Sequence, residues 1–457
     1  MIIANFIKFL NKIRVPTMPA QMTFGLSRDH GVFEWARSSP DSIFCQRRHL
    51  LSPKMWRTIF DVIRFNQFSL DLLIEDGAEG VSPSLVNGNG DYLHKWQPPK
   101  AEDTIAEYLS REGYSDAFRD NYLIPMAMAV WDTTSAKCIL ELPAVTLVRS
   151  LWKHGLLSAI DTGSAWLAIQ EGSRAYIDAV MKGFPPNHLF LNTPVSAVTN
   201  EREGRVRVHL QDGRTRLYDH VILATPSDEA YQIIKYSATP EEEAIMKKFH
   251  ICRNTAILHS DIAHMPASPK AWSSCNSLAL TSPSAGKSRI EQMSLTYNMN
   301  MLQHIPRQTF GDILVTLNPL RSPDPKLVQG RFEYAHLIRN METERAQAML
   351  PKIQNRRGIS YAGAWTRYGT PEDGLSSGLT VAKEHLDARL PFEIVDSTYD
   401  RGTAPVLGLA DHLARLIILI VLVFFVVPLE RIADRLSASK RRTVNMIKSS
   451  LMKEKGQ

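Results

Sequence analysis

The chain is expected to be an α/β protein with a parallel sheet, a mixed α+β region beside it and an apolar helix near its end. Three stretches predict this. Residues 358–386 read as strand, loop and helix. Residues 195–223 read as a β-meander returning to a buried strand. Residues 409–429 are apolar except for Asp411, His412 and Arg415, all in the first third.

The first stretch carries the most chemistry. Residues 359–362 form a short apolar run between Gly358 and Gly363, and Gly369, Thr370 and Pro371 are turn formers. Glu372 and Asp373 precede a helical pattern, with Asp373 expected as the N-cap. Gly374, Gly378 and Ala382 fall at i, i+4 and i+8. One helix face is therefore nearly bare, and something flat can approach it near the positive end of the helix dipole. In the second stretch Val195, Ala197 and Val198 precede a turn at Glu203-Gly204. Val206 and Val208 precede another at Asp212-Gly213, and Val221, Ile222 and Leu223 end in Ala224-Thr225-Pro226.

The wording G-A-W, a gap, then E-D-G-x-x-S-G resembles the C-terminal flavin motif of the amine oxidase superfamily, most closely its branch of predicted NAD/FAD-binding flavoproteins. The resemblance covers about residues 4–388. It implies a two-domain, amine-oxidase-like FAD-binding fold with FAD as cofactor. Residues Gly363, Ala364, Trp365, Asp373, Gly374 and Leu375 would lie at the flavin, with the helix dipole favouring negative charge on the reduced ring. Val195, in T-P-V, would present its backbone to the adenine. Residues 118–131 resemble a helical segment walling the substrate cavity. Cys275 and Asn298 fall where relatives often carry tryptophan, a departure in that cavity's walls.

One part of the pattern is missing. A dinucleotide fingerprint needs G-x-G-x-x-G between a strand and a helix, so that the backbone reaches the pyrophosphate. The first fifty residues have none; at Gly88 and Gly90, Leu93 fills the third position. The Rossmann half is thus expected to be incomplete, lacking its leading βαβ unit. Residues 1–165 are read as truncated FAD- and substrate-domain helices, 166–235 as the FAD-binding sheet segment and 236–355 as the substrate domain. Residues 356–390 are the C-terminal FAD-binding segment, 391–408 a connector, 409–429 a membrane helix and 430–457 a basic tail.

Local signals fill in the rest. Residues 1–16 are amphipathic. Ser52 and Pro53 start a helix reaching about Leu73, and Thr104 opens another. Pro125 should interrupt a core helix, and His154 should cap one. A helix should start at Ser173. His259, Asp261 and His264 lie close together but lack helical spacing or a fourth ligand, so no metal site is expected. Four cysteines without a C-x-x-C argue for reduced thiols.

Charge and hydropathy bound the partners. From Arg431 onward there are eight Lys/Arg and two Asp/Glu, which accounts for the whole net charge of +6. The body is balanced, and no nucleic-acid partner is expected. The apolar run followed by Lys440-Arg441-Arg442 predicts a single span with a cytosolic basic tail, Arg415 snorkelling. The functional expectation is an FAD-dependent oxidoreductase acting on a small or lipid-like substrate by hydride transfer, with no general base legible. The alternative is a membrane-tethered remnant that no longer binds FAD.

Overall fold

The computed structural model describes residues 4–74, 103–131, 136–157, 166–201, 204–282, 289–395 and 405–429. The basic tail, the Gly88–Gly90 loop and half of the connector, residues 396–404, lie outside them. The architecture is mixed α/β, with an apolar helix near its C-terminal end.

Helix α1 (Ala4–Lys12) buries Asn5, Phe6 and Leu10. Strands β1 (Thr17–Ala20), β2 (Phe24–Arg28) and β3 (Phe33–Ala36) follow. Helix α2 (Pro53–Phe68) has Ser52 as N-cap and Pro53 in its first turn. It stops earlier than its apolar pattern suggested, because Ser69 and Leu70 form a turn. Helix α3 (Ile105–Arg111) starts with a Thr104–Glu107 capping box.

The next helix is not interrupted at Pro125. Asp116–Phe118, Arg119–Leu123 and Ile124–Trp131 form one continuous rod, α4, whose middle piece is a π-turn. The π-turn falls immediately before the proline, where the ladder must give way to a residue without an N–H. Helix α5 (Ala144–Lys153) ends in His154 as its C-cap. These helices make the largest core, in which Phe118, Leu123, Leu147 and Leu151 are fully enclosed.

Strand β4 (Trp166–Ile169) pairs with β1, and α6 (Ser173–Met181) starts at Ser173. The meander is present as β5 (Val195–Asn200), β6 (Val206–Leu210) and β7 (Thr215–Tyr218), followed by β8 (Val221–Leu223). Helices α7 (Ser227–Ile234) and α8 (Pro240–Met246) come next. Strands β9 (Ile251–His259), β10 (Cys275–Ser282), β11 (Arg289–Asn298), β12 (Leu314–Leu317) and β13 (Val328–Leu337) then join β2 and β3 in a seven-stranded sheet. Its order is β13-β9-β12-β11-β10-β2-β3, antiparallel except where β10 meets β2.

Helix α9 (Met341–Met349) leads to β14 (Ile359–Tyr361), which pairs with β8 in parallel. Gly358 turns into this strand at φ +72°, and a Cβ there would lie 2.8 Å from Val206 Cγ2, so only glycine fits. The other edge of β14 is covered by a side chain. Tyr361 N donates to Gln354 Oε1 at 2.9 Å, and Gln354 Nε2 donates to Tyr361 O at 2.7 Å. Beneath the pair Glu242 is 1% exposed. It accepts from Arg357 Nη2 at 2.7 Å and Tyr361 Oη at 3.0 Å.

Helix α10 (Pro371–Leu386) follows. Its N-cap is Thr370 rather than Asp373. Thr370 Oγ1 accepts from Asp373 N, Asp373 Oδ2 accepts from Thr370 N at 2.9 Å, and Pro371 fills the first turn. Asp373 is thus the return arm of a capping box. Helix α11 (Leu409–Val421) continues helically to Leu429, and an 18-residue window of this 21-residue span has a mean hydropathy of 2.6 with only 6% of it buried. It is the one helix among the described residues long and apolar enough to cross a membrane. Arg415 does not snorkel. It ion-pairs with Asp71 at 2.7 Å, donates to Gln67 O and lies over the Phe68 ring.

Candidate active site

Three β-to-helix junctions converge on one cavity of ≈ 340 Å³. The Ala224-Thr225-Pro226 turn after β8 forms one wall, and the Gly363–Ala364 loop after β14 forms the second. The end of β13, running into Arg339, forms the third. Trp131 and His154, from the ends of α4 and α5, close it from the helical side.

The loop wall is held tightly. Gly363 has φ +142°, and a Cβ there would come within 2.8 Å of the Trp365 indole. Gly363 N donates to Ser377 Oγ at 2.9 Å. The Trp365 indole points largely into protein: its Nε1 donates to Thr225 O at 3.0 Å and its ring meets Phe249 edge-on at 4.9 Å. Gly374 packs on Ala364 at ordinary contact distance, whereas nothing lies within 4 Å of a Cβ built at Gly378.

Two arginines, Arg149 and Arg339, and the carboxylate of Glu372 line the cavity. The Arg339 guanidinium lies between two aromatic rings, 5.7 Å from the Trp131 centroid and 5.4 Å from that of Tyr368. It makes no hydrogen bond or ion pair among the described residues, and Nη2 is fully enclosed without a partner. Burial pulls its pKa below the ordinary arginine value, opposed by the charges of Asp373, Tyr368 and Glu344. Burial raises the pKa of Glu344, which accepts from Thr146 Oγ1 at 2.9 Å. Two hydroxyls at the cavity wall, Thr225 Oγ1 and Ser227 Oγ, are also enclosed without a partner.

The expected site residues divide. Gly363, Ala364 and Trp365 line the cavity. Asp373 and Gly374 stand just behind it on α10, and Leu375 packs against α1 with Phe6 and Leu10. Val195 lies at the start of β5, 36% exposed and away from the cavity. Arg339, Tyr368, Thr225 and Ser227 were not singled out as site residues. Ala224-Thr225-Pro226 was legible as small residues at a strand end, but a single arginine after a strand carries no spacing that marks it. His259, Asp261 and His264 are not assembled as ligands. His259 Nε2 pairs with Thr316 Oγ1 at 2.7 Å and its Nδ1 accepts from Asp261 N. Among the described residues no cluster of three or more His, Cys, Asp or Glu could hold a metal ion.

The family model of flavin-containing amine oxidoreductases matches residues 104–301, which run from the start of α3 past β11. Over that stretch the chain is similar to flavin-containing amine oxidoreductases. A search of curated proteins finds no match. Similar solved structures include a CLA-producing fatty acid isomerase from P. acnes, at 13% identity, TM-score 0.48, covering 83% of this chain and 84% of that one. Wild-type putrescine oxidase bound to putrescine has 13% identity and TM-score 0.49, covering 84% and 86%. Cyclohexylamine oxidase from Brevibacterium oxydans has 11% identity and TM-score 0.49, covering 84% and 86%.

The family match implies a flavin, and the residues present fit one end of it. The enclosed hydroxyls of Thr225 and Ser227 are unspent hydrogen-bonding groups beside the Gly363–Ala364 loop, as a heteroatom-rich ring requires. The pyrophosphate end is not matched by a glycine-rich turn in this sequence. Nor is the first turn of α10 open to phosphate. Pro371 has no N–H, Asp373 folds back on Thr370, and Glu372 accepts from Asn5 N at 3.1 Å and Phe6 N at 2.7 Å.

Proposed function

We propose that this chain is a membrane-associated, flavin-dependent oxidoreductase of the amine oxidase superfamily, acting on a small or lipid-like substrate. The observation that carries the reading is the cavity where the β8, β13 and β14 junctions meet, lined by groups that the fold leaves without partners. The flavin would be held by Gly363, Ala364 and Trp365, with Thr225 and Ser227 as hydrogen-bonding groups and Gly374 allowing close approach. Asp373 and Leu375 would support that loop from α10, and Val195 would take the adenine. When bound, the flavin supplies hydride acceptance. This chain's own residues enclose the site, exclude water through Trp131 and Tyr368, and place the fixed charge of Arg339 in its wall.

A membrane location is supported by the exposed apolar helix Leu409–Leu429. Together with the basic residues after it, this favours a single span with the tail on the cytosolic side. The remnant alternative has one observation behind it, the absent pyrophosphate turn. A visible spectrum of the purified protein separates the two. The expected result is a flavin absorption band, present as isolated or appearing on incubation with FAD. A folded protein that stays colourless after incubation defeats the proposal. Removing residues 405–457 should move the protein from the membrane to the soluble fraction.

A further inference from the structure

A buried charge is paired, or awaits a partner that the fold does not supply. Taking a guanidinium out of water costs several kcal/mol, normally offset by a carboxylate and hydrogen bonds. Other enclosed arginines here follow that rule: the buried Arg64 lies 3.5 Å from Asp61, and the half-buried Arg357 and Arg415 pair with Glu242 and Asp71. Arg339 departs from it. No carboxylate lies within ion-pair distance among the described residues, and it lies over two aromatic ring faces. Aromatic faces stabilise a cation but leave its N–H groups unspent. Those groups lie in the wall of the cavity.

The surroundings select the ligand. Val130, Trp131, Ile251 and Leu337 make the neighbouring wall apolar. A planar fork of donors beside an apolar wall suits a planar, bidentate acceptor on a hydrocarbon body.

We propose that this cavity binds an organic carboxylate, its head group on Arg339 and its apolar body against Trp131, Ile251 and Leu337. Calling the bound acid a substrate rests on the oxidoreductase reading; the binding itself does not. Arg339 is then the residue that sets preference for acids over neutral molecules of the same shape.

The test is calorimetric binding of octanoate and its neutral isostere octanamide to the full-length protein in detergent, with inorganic phosphate as competitor. The wild type should prefer octanoate at least tenfold. R339M should lose that preference while still binding octanamide, and R339K should keep part of it. Because R339M removes an unpaired buried charge, its thermal midpoint should hold or rise. Three results would overturn the proposal. They are an octanoate preference surviving in R339M, phosphate displacing octanoate at equal concentration, which would mark a phosphate site, and an R339M that melts earlier or does not fold, which would mark a structural cation. A colourless protein that binds octanoate through Arg339 would end the flavin reading and leave this one standing.

Discussion

The seven-stranded sheet and the β8–β14 pair treat their strands in opposite ways. The large sheet pairs strand with strand across 10-residue elements such as β11 and β13, and its interior hydrogen bonds are neutral, as between Thr296 and Thr316 at 2.8 Å. The small parallel pair has three residues in each strand, one strand edge covered by an amide side chain, and a buried ion pair beneath. Antiparallel strands are joined by short turns and accumulate; parallel strands need long crossovers, so each must be recruited from far along the chain. The large sheet therefore rests on many equivalent contacts, and the small one on a few specific side chains.

That contrast is open to attack. The largest effect is expected from Glu242→Ala, which strands Arg357 and Tyr361 Oη and should cost about 3–5 kcal/mol in denaturant unfolding. Next comes Gln354→Ala, which leaves two buried backbone groups of Tyr361 unpaired and should cost about 2–3 kcal/mol. If both variants unfold like the wild type, the β8–β14 pair does not depend on side-chain support.

The large sheet should respond instead to acid. Burial, with His264 second, pushes the His259 pKa down to about 4. The unfolded chain protonates this histidine near its ordinary 6.5 and so binds more protons between the two values. Stability should fall as pH drops from 6.5 toward 4, visible as a falling denaturant midpoint, and His259→Gln should flatten that slope. The smallest effect is expected from Gly378→Ala. Nothing crowds a Cβ there, so the variant should gain about 0.5–1 kcal/mol of helix stability. If flavin uptake fell in this variant, the bare helix face would be a cofactor contact.

Much of the small pair was legible in the sequence, because turn formers, caps and a short apolar run all fall within residues 358–386. The misplaced N-cap came from reading Asp373 without weighing Thr370-Pro371, which satisfies the same N–H and sets the first turn. The seven-stranded sheet was only partly legible. Its β-like segments were visible, but nothing local says that Phe24 will sit opposite Cys275 in a parallel pair. The π-turn before Pro125 also escaped, since it is a tertiary solution to a local conflict. Arg339 was hidden for a related reason: its significance lies in the partner it lacks, and absence of a partner is visible only in three dimensions.

The grip of Glu372 on the start of α1 has a consequence in time. Asn5 and Phe6 meet their carboxylate acceptor across sequence separations of 367 and 366 residues. Asn5 is bound as well by Val395, through Nδ2 to O at 2.7 Å and Val395 N to Oδ1 at 2.8 Å. During synthesis at ~5–20 residues per second, roughly 20–70 s pass between emergence of the helix and arrival of its partner. For that interval Phe6 and Leu10 have only part of their cover, from Ile169, Tyr176 and Ala179, and lack Leu375.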